Sequence, residues 1–190
     1  MTTAAIFDLD GTLADTMPTH FRAWQEVAEK YGIDFPENRF YALGGIPTKK
    51  IAQILIEEQG LSANPEEVAK DREEAYERRL DEIGRLEAII EIADELRKKG
   101  PIAIASGGQR KLADRVLDKL GIKDWFKVVL TSEDTKNHKP DPEPFLEAAK
   151  RMGVDPRDCT VYEDSDPGLE AARRAGMKGV DVRALAFPSR

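Results

Sequence analysis

Short apolar, β-prone runs at residues 4–9, 101–105, 128–131, 160–162 and 179–182, each separated from the next by a helical pattern, constrain this chain most. Strands that alternate with helices are joined by crossovers, so the pattern predicts an α/β fold built on a parallel sheet. Leu86, Ile89, Ile90, Ala93 and Leu96 form one helical stripe, and Leu112, Val116, Leu117 and Leu120 form another. Gly100 and Gly121 are the expected C-terminal stops. Two further helices, 144–152 and 167–175, begin at prolines and end before Gly153 and Gly176.

Between the first run and the Leu86 stripe the rhythm breaks, and the pattern is helical throughout. Phe21, Trp24, Val27, Ala28 and Tyr31 make one stripe before Gly32, with Trp24 a core residue; Ile51, Ile54 and Leu55 make another before Gly60. A third helix starts at Asn64-Pro65. Asn64 is its expected cap, Glu67 stands at the capping-box position, Glu74 and Arg78 form an i,i+4 pair, and Val68, Ala75, Tyr76 and Leu80 are apolar. The expected organisation is a core of residues 1–15 and 84–190, interrupted by a helical insertion of residues 16–83 whose two connections act as a hinge.

Composition removes several functions. A net charge of −7 and a pI near 5.1 argue against nucleic acid or an anionic membrane as partner, so an anionic substrate must be held by local cations. No stretch has the apolar length of a membrane span. The single Cys159 cannot form an internal disulfide, and as a neighbour of a buried strand it is expected to be inert. The first ten residues lack the features of a signal peptide, so a cytoplasmic location is expected. No interface pattern stands out, and a monomer is expected.

The chemistry-bearing residues fall at the C-terminal ends of the expected strands, where open parallel sheets bind ligands. Asp8 and Asp10 flank Leu9, so both carboxylates can face one way while Leu9 enters the core. Alone, Asp10-Gly11 is also an acidic turn. Glu163-Asp164 ends another strand, although Asp164 or Ser165 could simply cap the helix near Pro167. Together these carboxylates offer the oxygen-rich set that Mg2+ requires. Ser106-Gly107-Gly108 presents a hydroxyl and backbone amides suited to an anion, or a plain turn. Lys139, in His138-Lys139-Pro140-Asp141-Pro142, sits on a backbone constrained by proline; alone it reads as a surface lysine.

These four segments, in this order, resemble the haloacid dehalogenase superfamily, whose signature is Asp-x-Asp-Gly-Thr, then Ser or Thr, then Lys, then an acidic pair. The resemblance covers essentially the whole chain. It implies a Rossmann-like parallel-sheet core with a helical cap inserted after the first strand, and a Mg2+-dependent phosphatase acting on a small phosphorylated metabolite. It further implies Asp8 as nucleophile and Asp10 as acid/base. Mg2+ is then held by Asp8, the Asp10 backbone carbonyl and Asp164, with Glu163 a ligand or a supporting partner. Ser106 and the Gly107 amide would contact the phosphoryl oxygens, and Lys139 would neutralise charge between Asp8 and phosphate. Asp10 separates the chain from the dehalogenase branch, which lacks a leaving-group acid.

Within the cap, Asp15-Thr16, His20-Phe21-Arg22-Ala23-Trp24, the Gly44-Gly45 loop and Ile51-Ala52-Gln53-Ile54 resemble the subgroup of β-phosphoglucomutase and bacterial fructose-1-phosphate phosphatases. That implies sugar phosphates, of fructose 1-phosphate or 6-phosphogluconate type, as substrates. His20, Gly44, Gly45, Lys49 and Arg72 are the candidate substrate contacts. In the mutase this loop grips a distal phosphate with basic residues; here Gly44 and Thr48 hold the matching positions, which favours hydrolysis. Lys49, Lys50 and Arg72 keep a phosphosugar mutase as the alternative, and also read as solvated helix charges. His20 matches the mutase histidine linked to cap closure, or is a hinge residue. An aspartate-phosphorylated receiver or an inactive scaffold is a lesser alternative, disfavoured by the helical insertion and by the complete set of catalytic groups.

Overall fold

The computed structural model describes residues 4–43 and 46–186. The chain divides into two compact units, Met1–Asp15 with Gly84–Arg190, and Thr16–Ile83. In the first unit, β1 (Ala4–Phe7) is wholly buried, as a central strand covered on both faces must be. A short strand β2 (Ala14–Asp15) follows. The second unit contains α1 (Met17–Tyr31), α2 (Glu37–Ala42), α3 (Thr48–Gln59) and α4 (Pro65–Glu77). The chain re-enters the first unit through β3 (Gly84–Arg85), antiparallel to β2, so the outgoing and returning connections form one ribbon. Then come α5 (Glu87–Arg97), β4 (Ile102–Ala105), α6 (Arg110–Leu120), β5 (Val128–Leu130), α7 (Glu143–Met152), β6 (Cys159–Glu163), α8 (Asp166–Arg174), β7 (Lys178–Asp181) and α9 (Arg183–Ala186).

The main sheet is parallel, in the order β5-β4-β1-β6-β7. Successive crossovers run outward from β1 in both directions, which makes the β1 edge the topological switch point. One sheet face packs Ile6, Ala103, Ala105, Leu130 and Val161 against Phe145, Ala148, Ala149 and Met152 of α7 and Ala171 and Ala172 of α8. Small residues on the helices let the layers approach closely. Phe145, fully buried, fills the space they leave; its truncation to alanine would cost about 3–5 kcal/mol.

In the helical unit, α1 and α3 both pack on α4. Trp24 is buried edge-on to Phe35, with ring centroids 5.2 Å apart. Asn64 caps α4 by accepting the Glu66 N–H at 2.9 Å. Arg78 does not seek Glu74: its guanidinium reaches Glu26 on α1 at 2.5 Å, a pairing that links two helices rather than one turn. Gly121 ends α6 in the left-handed region, whereas Gly100 does not act this way for α5. The proline at 101 restricts the backbone before it, and α5 closes instead through the Lys99 and Gly100 amides donating to the Leu96 carbonyl.

Candidate active site

Asp8 leaves β1 while still bonded to the sheet, its N–H donating to the Tyr162 carbonyl at 3.0 Å. Leu9 turns into the core, and its carbonyl accepts the N–H groups of Leu13 and Ala14, each at 3.0 Å, closing a tight loop. Gly11 within this loop has φ +81°, and a Cβ there would fall 2.2 Å from Asp164 Oδ2. Glycine is therefore required for both the backbone conformation and the approach of the two segments.

Glu163, at the end of β6, is 1% exposed. Its Oε1 accepts the Ser165 N–H at 3.1 Å and hydroxyl at 2.8 Å, and its Oε2 accepts from Lys139 Nζ at 2.7 Å. Room for this carboxylate comes from Gly168 in the first turn of α8, where a Cβ would lie 2.0 Å from the Glu163 carboxyl carbon. The neighbouring Asp164 accepts a long bond from the Thr12 hydroxyl at 3.3 Å. Ser106, buried at the end of β4, accepts the Gly108 N–H on its hydroxyl oxygen at 3.0 Å. A Cβ on Gly108 would lie 3.3 Å from Ser106 Oγ and 3.6 Å from Asp10 Oδ2, so both oxygens border the same small space, while Gly107 is exposed beside it. Lys139 enters on the loop after β5. Its ammonium is 2.6 Å from Asp8 Oδ1 and 5.1 Å above the Phe145 ring.

Burial pushes the Asp8 carboxyl well above the usual carboxylate range; Lys139 opposes this, and the negative charges of Glu163, Asp164 and Asp10 reinforce it. Burial, then Glu163, drives Asp164 up to about 7. Burial works against the Lys139 ammonium, but Asp8 and Glu163 outweigh it and hold the lysine above its ordinary range. One ammonium thus faces more negative charge than it can balance. Carboxylate oxygens from Asp8, Glu163 and Asp164 lie within 4.8 Å of one another. This oxygen donor set, with excess negative charge in a buried setting, fits a hard divalent cation such as Mg2+.

The helical unit holds a different kind of cluster. The His20 ring stacks on Tyr76 at 4.0 Å with 12° between planes, and the Arg72 guanidinium contacts His20 Nδ1. Arg72 is buried, 5.8 Å over Trp24 and 5.3 Å over Tyr76. Lys49 is exposed and paired with Glu66 at 2.5 Å, and Lys50 donates to Gln53. Gly44 and Gly45 lie outside the described residues. Cys159 is buried, its thiol pushed up to about 11 by burial and the nearby Asp158 and Asp155.

Thr12 entered the sequence reading only as the last residue of the Asp-x-Asp-Gly-Thr signature and Ser165 only as a cap, while Gly168 was missed. Ser165 does cap α8, accepting from the Gly168 N–H at 3.1 Å, and holds Glu163 as well. A glycine inside the first turn of a helix, where propensity disfavours it, was the available signal for Gly168.

Residues 5–182 match the haloacid dehalogenase-like hydrolase family. The fructose-1-phosphate phosphatase YqaB of Escherichia coli (strain K12) is 39% identical over 180 residues, covering 95% of this chain and 96% of that protein. The β-phosphoglucomutase of Bacillus subtilis (strain 168) is 32% identical over 187 residues, covering 94% and 82%. Among solved structures, a β-phosphoglucomutase from Clostridium difficile superposes with a TM-score of 0.79 at 30% identity, over 95% of this chain and 84% of that one.

Proposed function

The chain belongs to the haloacid dehalogenase-like hydrolase family and is a phosphatase, and on that basis we propose that it hydrolyses small sugar phosphates through an aspartyl-phosphate on Asp8. The observation that carries this reading is the buried Asp8 carboxylate, 2.6 Å from Lys139 and surrounded by the other carboxylates of the strand ends. Asp8, the Asp10 backbone carbonyl and Asp164 would hold Mg2+, with Glu163 as a further ligand or as the group that holds Lys139. When bound, the ion supplies the positive charge that keeps these carboxylates ionised and lowers their repulsion toward phosphate.

An Asp8 carboxylate oxygen attacks phosphorus as the bond from phosphorus to the sugar oxygen breaks, and Asp10 gives its proton to that oxygen. Asp10 then takes a proton from the water that attacks the aspartyl-phosphate, which releases inorganic phosphate and restores Asp8. The Ser106 hydroxyl and the Gly107 amide hold phosphoryl oxygens, and Lys139 offsets charge between nucleophile and substrate. The helical unit acts as the cap; of its candidate substrate contacts His20, Gly44, Gly45, Lys49 and Arg72, the buried Arg72 is the favoured cation and the exposed, paired Lys49 the disfavoured one. The protein works as a cytoplasmic monomer on a small metabolite, without nucleic-acid or membrane partners; no helix among the described residues is long and apolar enough to cross a membrane.

The likeness to β-phosphoglucomutases, together with the buried cation Arg72, favours a phosphosugar mutase as the second reading. Thr48, the first residue of α3, stands where that reading needs a basic group, so hydrolysis leads. One assay separates them. Fructose 1-phosphate, 6-phosphogluconate and aryl phosphate should release inorganic phosphate only with Mg2+ present. Conversion of β-glucose 1-phosphate to glucose 6-phosphate with a bisphosphate primer, without phosphate release, would make the mutase correct. A folded sample inactive in both would sink the phosphoryl-transfer reading.

A further inference from the structure

We infer that Glu143 is a positioning residue for Lys139, an inference that rests on the role proposed for that lysine. Lys139 lies on the loop between β5 and α7, inside a turn closed by the Asp141 N–H donating to the His138 carbonyl at 2.9 Å, but one turn alone does not fix an ammonium between two carboxylates. The loop is fastened elsewhere. Near its start, Asp134 accepts the Thr131 N–H at 2.9 Å and hydroxyl at 3.0 Å, and Arg110 and Arg151 reach it at 2.5 and 3.1 Å. Just before the lysine, Glu143 accepts the N–H groups of Lys136 and Asn137, each at 3.0 Å, and the Asn137 side-chain amide at 2.9 Å. These backbone donors hold the Glu143 carboxyl below its ordinary range.

Glu143 is itself anchored. It is the first residue of α7, and its N–H donates to Asp141 Oδ1 at 2.9 Å. Two residues along the same helix, fully buried Phe145 lies beneath the Lys139 ammonium at 5.1 Å. The start of α7 therefore sets the lysine from two directions: Phe145 supports its head, and Glu143 fixes the turn that delivers it. An acidic residue in the first turn of a helix also suits the helix dipole, but that interaction needs no amides from the preceding loop, outside the helix. Three donors from residues 136 and 137 converging on one carboxylate indicate a clamp.

Turnover of a sugar phosphate in a double-mutant cycle tests the clamp. Lys139→Ala should lower kcat on the order of 10²–10³-fold, as loss of a charge-stabilising donor does. Glu143→Ala, with Lys139 displaced by a fraction of an ångström to about 1 Å, should lower kcat roughly 10–100-fold with KM little changed. In the Lys139→Ala background, Glu143→Ala should then add less than about twofold, because the group it positions is gone. A merely structural Glu143 would give the same loss in both backgrounds, and that result overturns the inference. So does a Glu143→Ala single variant with full kcat. If Lys139→Ala itself is fully active, the reading of the lysine fails first. If Glu143→Ala does not fold, Glu143→Gln carries the cycle: it keeps one acceptor oxygen and should show a smaller loss, again absent without Lys139.

Discussion

Both units of this chain carry ion pairs at the surface, Arg173–Glu170 in the α/β unit among them, but they differ in the charge they bury. In the α/β unit, Asp8, Glu163 and Lys139 are buried against one another, with side-chain exposures of 9, 2 and 13%. In the helical unit, ion pairs such as Arg22–Glu82 and Lys49–Glu66 stand at the surface, and pairs of that kind contribute little to stability. Burying charge carries a desolvation cost on the order of several kcal/mol per ion, and apolar residues would pack the same space with less penalty. The difference locates the proposed chemistry: the unit that bears the cost is the one whose charges the proposed reaction uses. Arg72, buried among aromatic rings, is the helical unit's departure from this pattern.

The sharpest way to break the comparison is to remove the nucleophile. Asp8→Asn keeps the shape, removes the charge, and should abolish turnover by on the order of 10⁴-fold or more, with an unchanged fold by circular dichroism. Near-normal phosphate release would mean that the buried cluster is structural. Asp10→Asn comes next, with a loss of about 10²–10⁴-fold for a sugar phosphate, whose alkoxide needs a proton, and a smaller loss for an activated aryl phosphate. Equal losses for both substrates would remove Asp10 from the role of leaving-group acid.

Gly168→Ala tests the architecture behind the cluster rather than a reacting group. Its methyl would meet the Glu163 carboxyl at 2.0 Å, and backbone on one side with Lys139 on the other gives the carboxylate little room to retreat. Displacing Glu163 should weaken Mg2+ binding by about 10–100-fold, measured as the Mg2+ concentration for half-maximal rate. Saturating Mg2+ should restore much of the activity. An unaltered Mg2+ requirement would free Glu163 from any part in holding the ion or orienting its ligands.

The sheet was legible in the sequence because its strands are short, contiguous and apolar: Ala4–Phe7 and Ile102–Ala105 carry no polar residue at all. The helices on its faces were legible because their stripes recur from turn to turn, as in Val116, Leu117 and Leu120 of α6, although Ala113 rather than the expected Leu112 completes its buried face. What escaped was either too short for a period or defined by a contact that leaves no periodic pattern. The β2–β3 ribbon has two residues per strand, and α2 has six, so neither displays a repeat. The segments bearing Asp8, Ser106, Lys139 and Asp164 could be singled out because each follows a strand, and a parallel sheet brings those ends to one edge. Ser165, Gly168 and Glu143 are different. Their meaning lies in what they touch, namely the Glu163 carboxylate and the amides of residues 136 and 137, and beyond the cap at Ser165 and a glycine in a first helical turn, periodicity does not report such contacts.

The same limit applies most strongly to the helical unit, where two candidate cations make opposite physical cases. Lys49 is solvated and already paired with Glu66, so an anion must compete with both water and a carboxylate for it. Arg72 is buried against Trp24 and Tyr76, its planar fork held by stacking, so little side-chain freedom remains to be lost on binding. If the helical unit selects the substrate, Arg72→Met should raise KM for a sugar phosphate by about tenfold, in line with loss of a charged hydrogen bond, while aryl phosphate turnover changes far less. Lys49→Ala should leave both within about twofold. Parallel thermal melts separate a binding loss from a packing loss in Arg72→Met, and Arg72→Lys, which keeps the charge but not the stacked fork, should fall between the two. A large effect at Lys49 with none at Arg72 would reverse the assignment: selection would then reside in the exposed charges, and burial would mark chemistry in one unit and packing in the other.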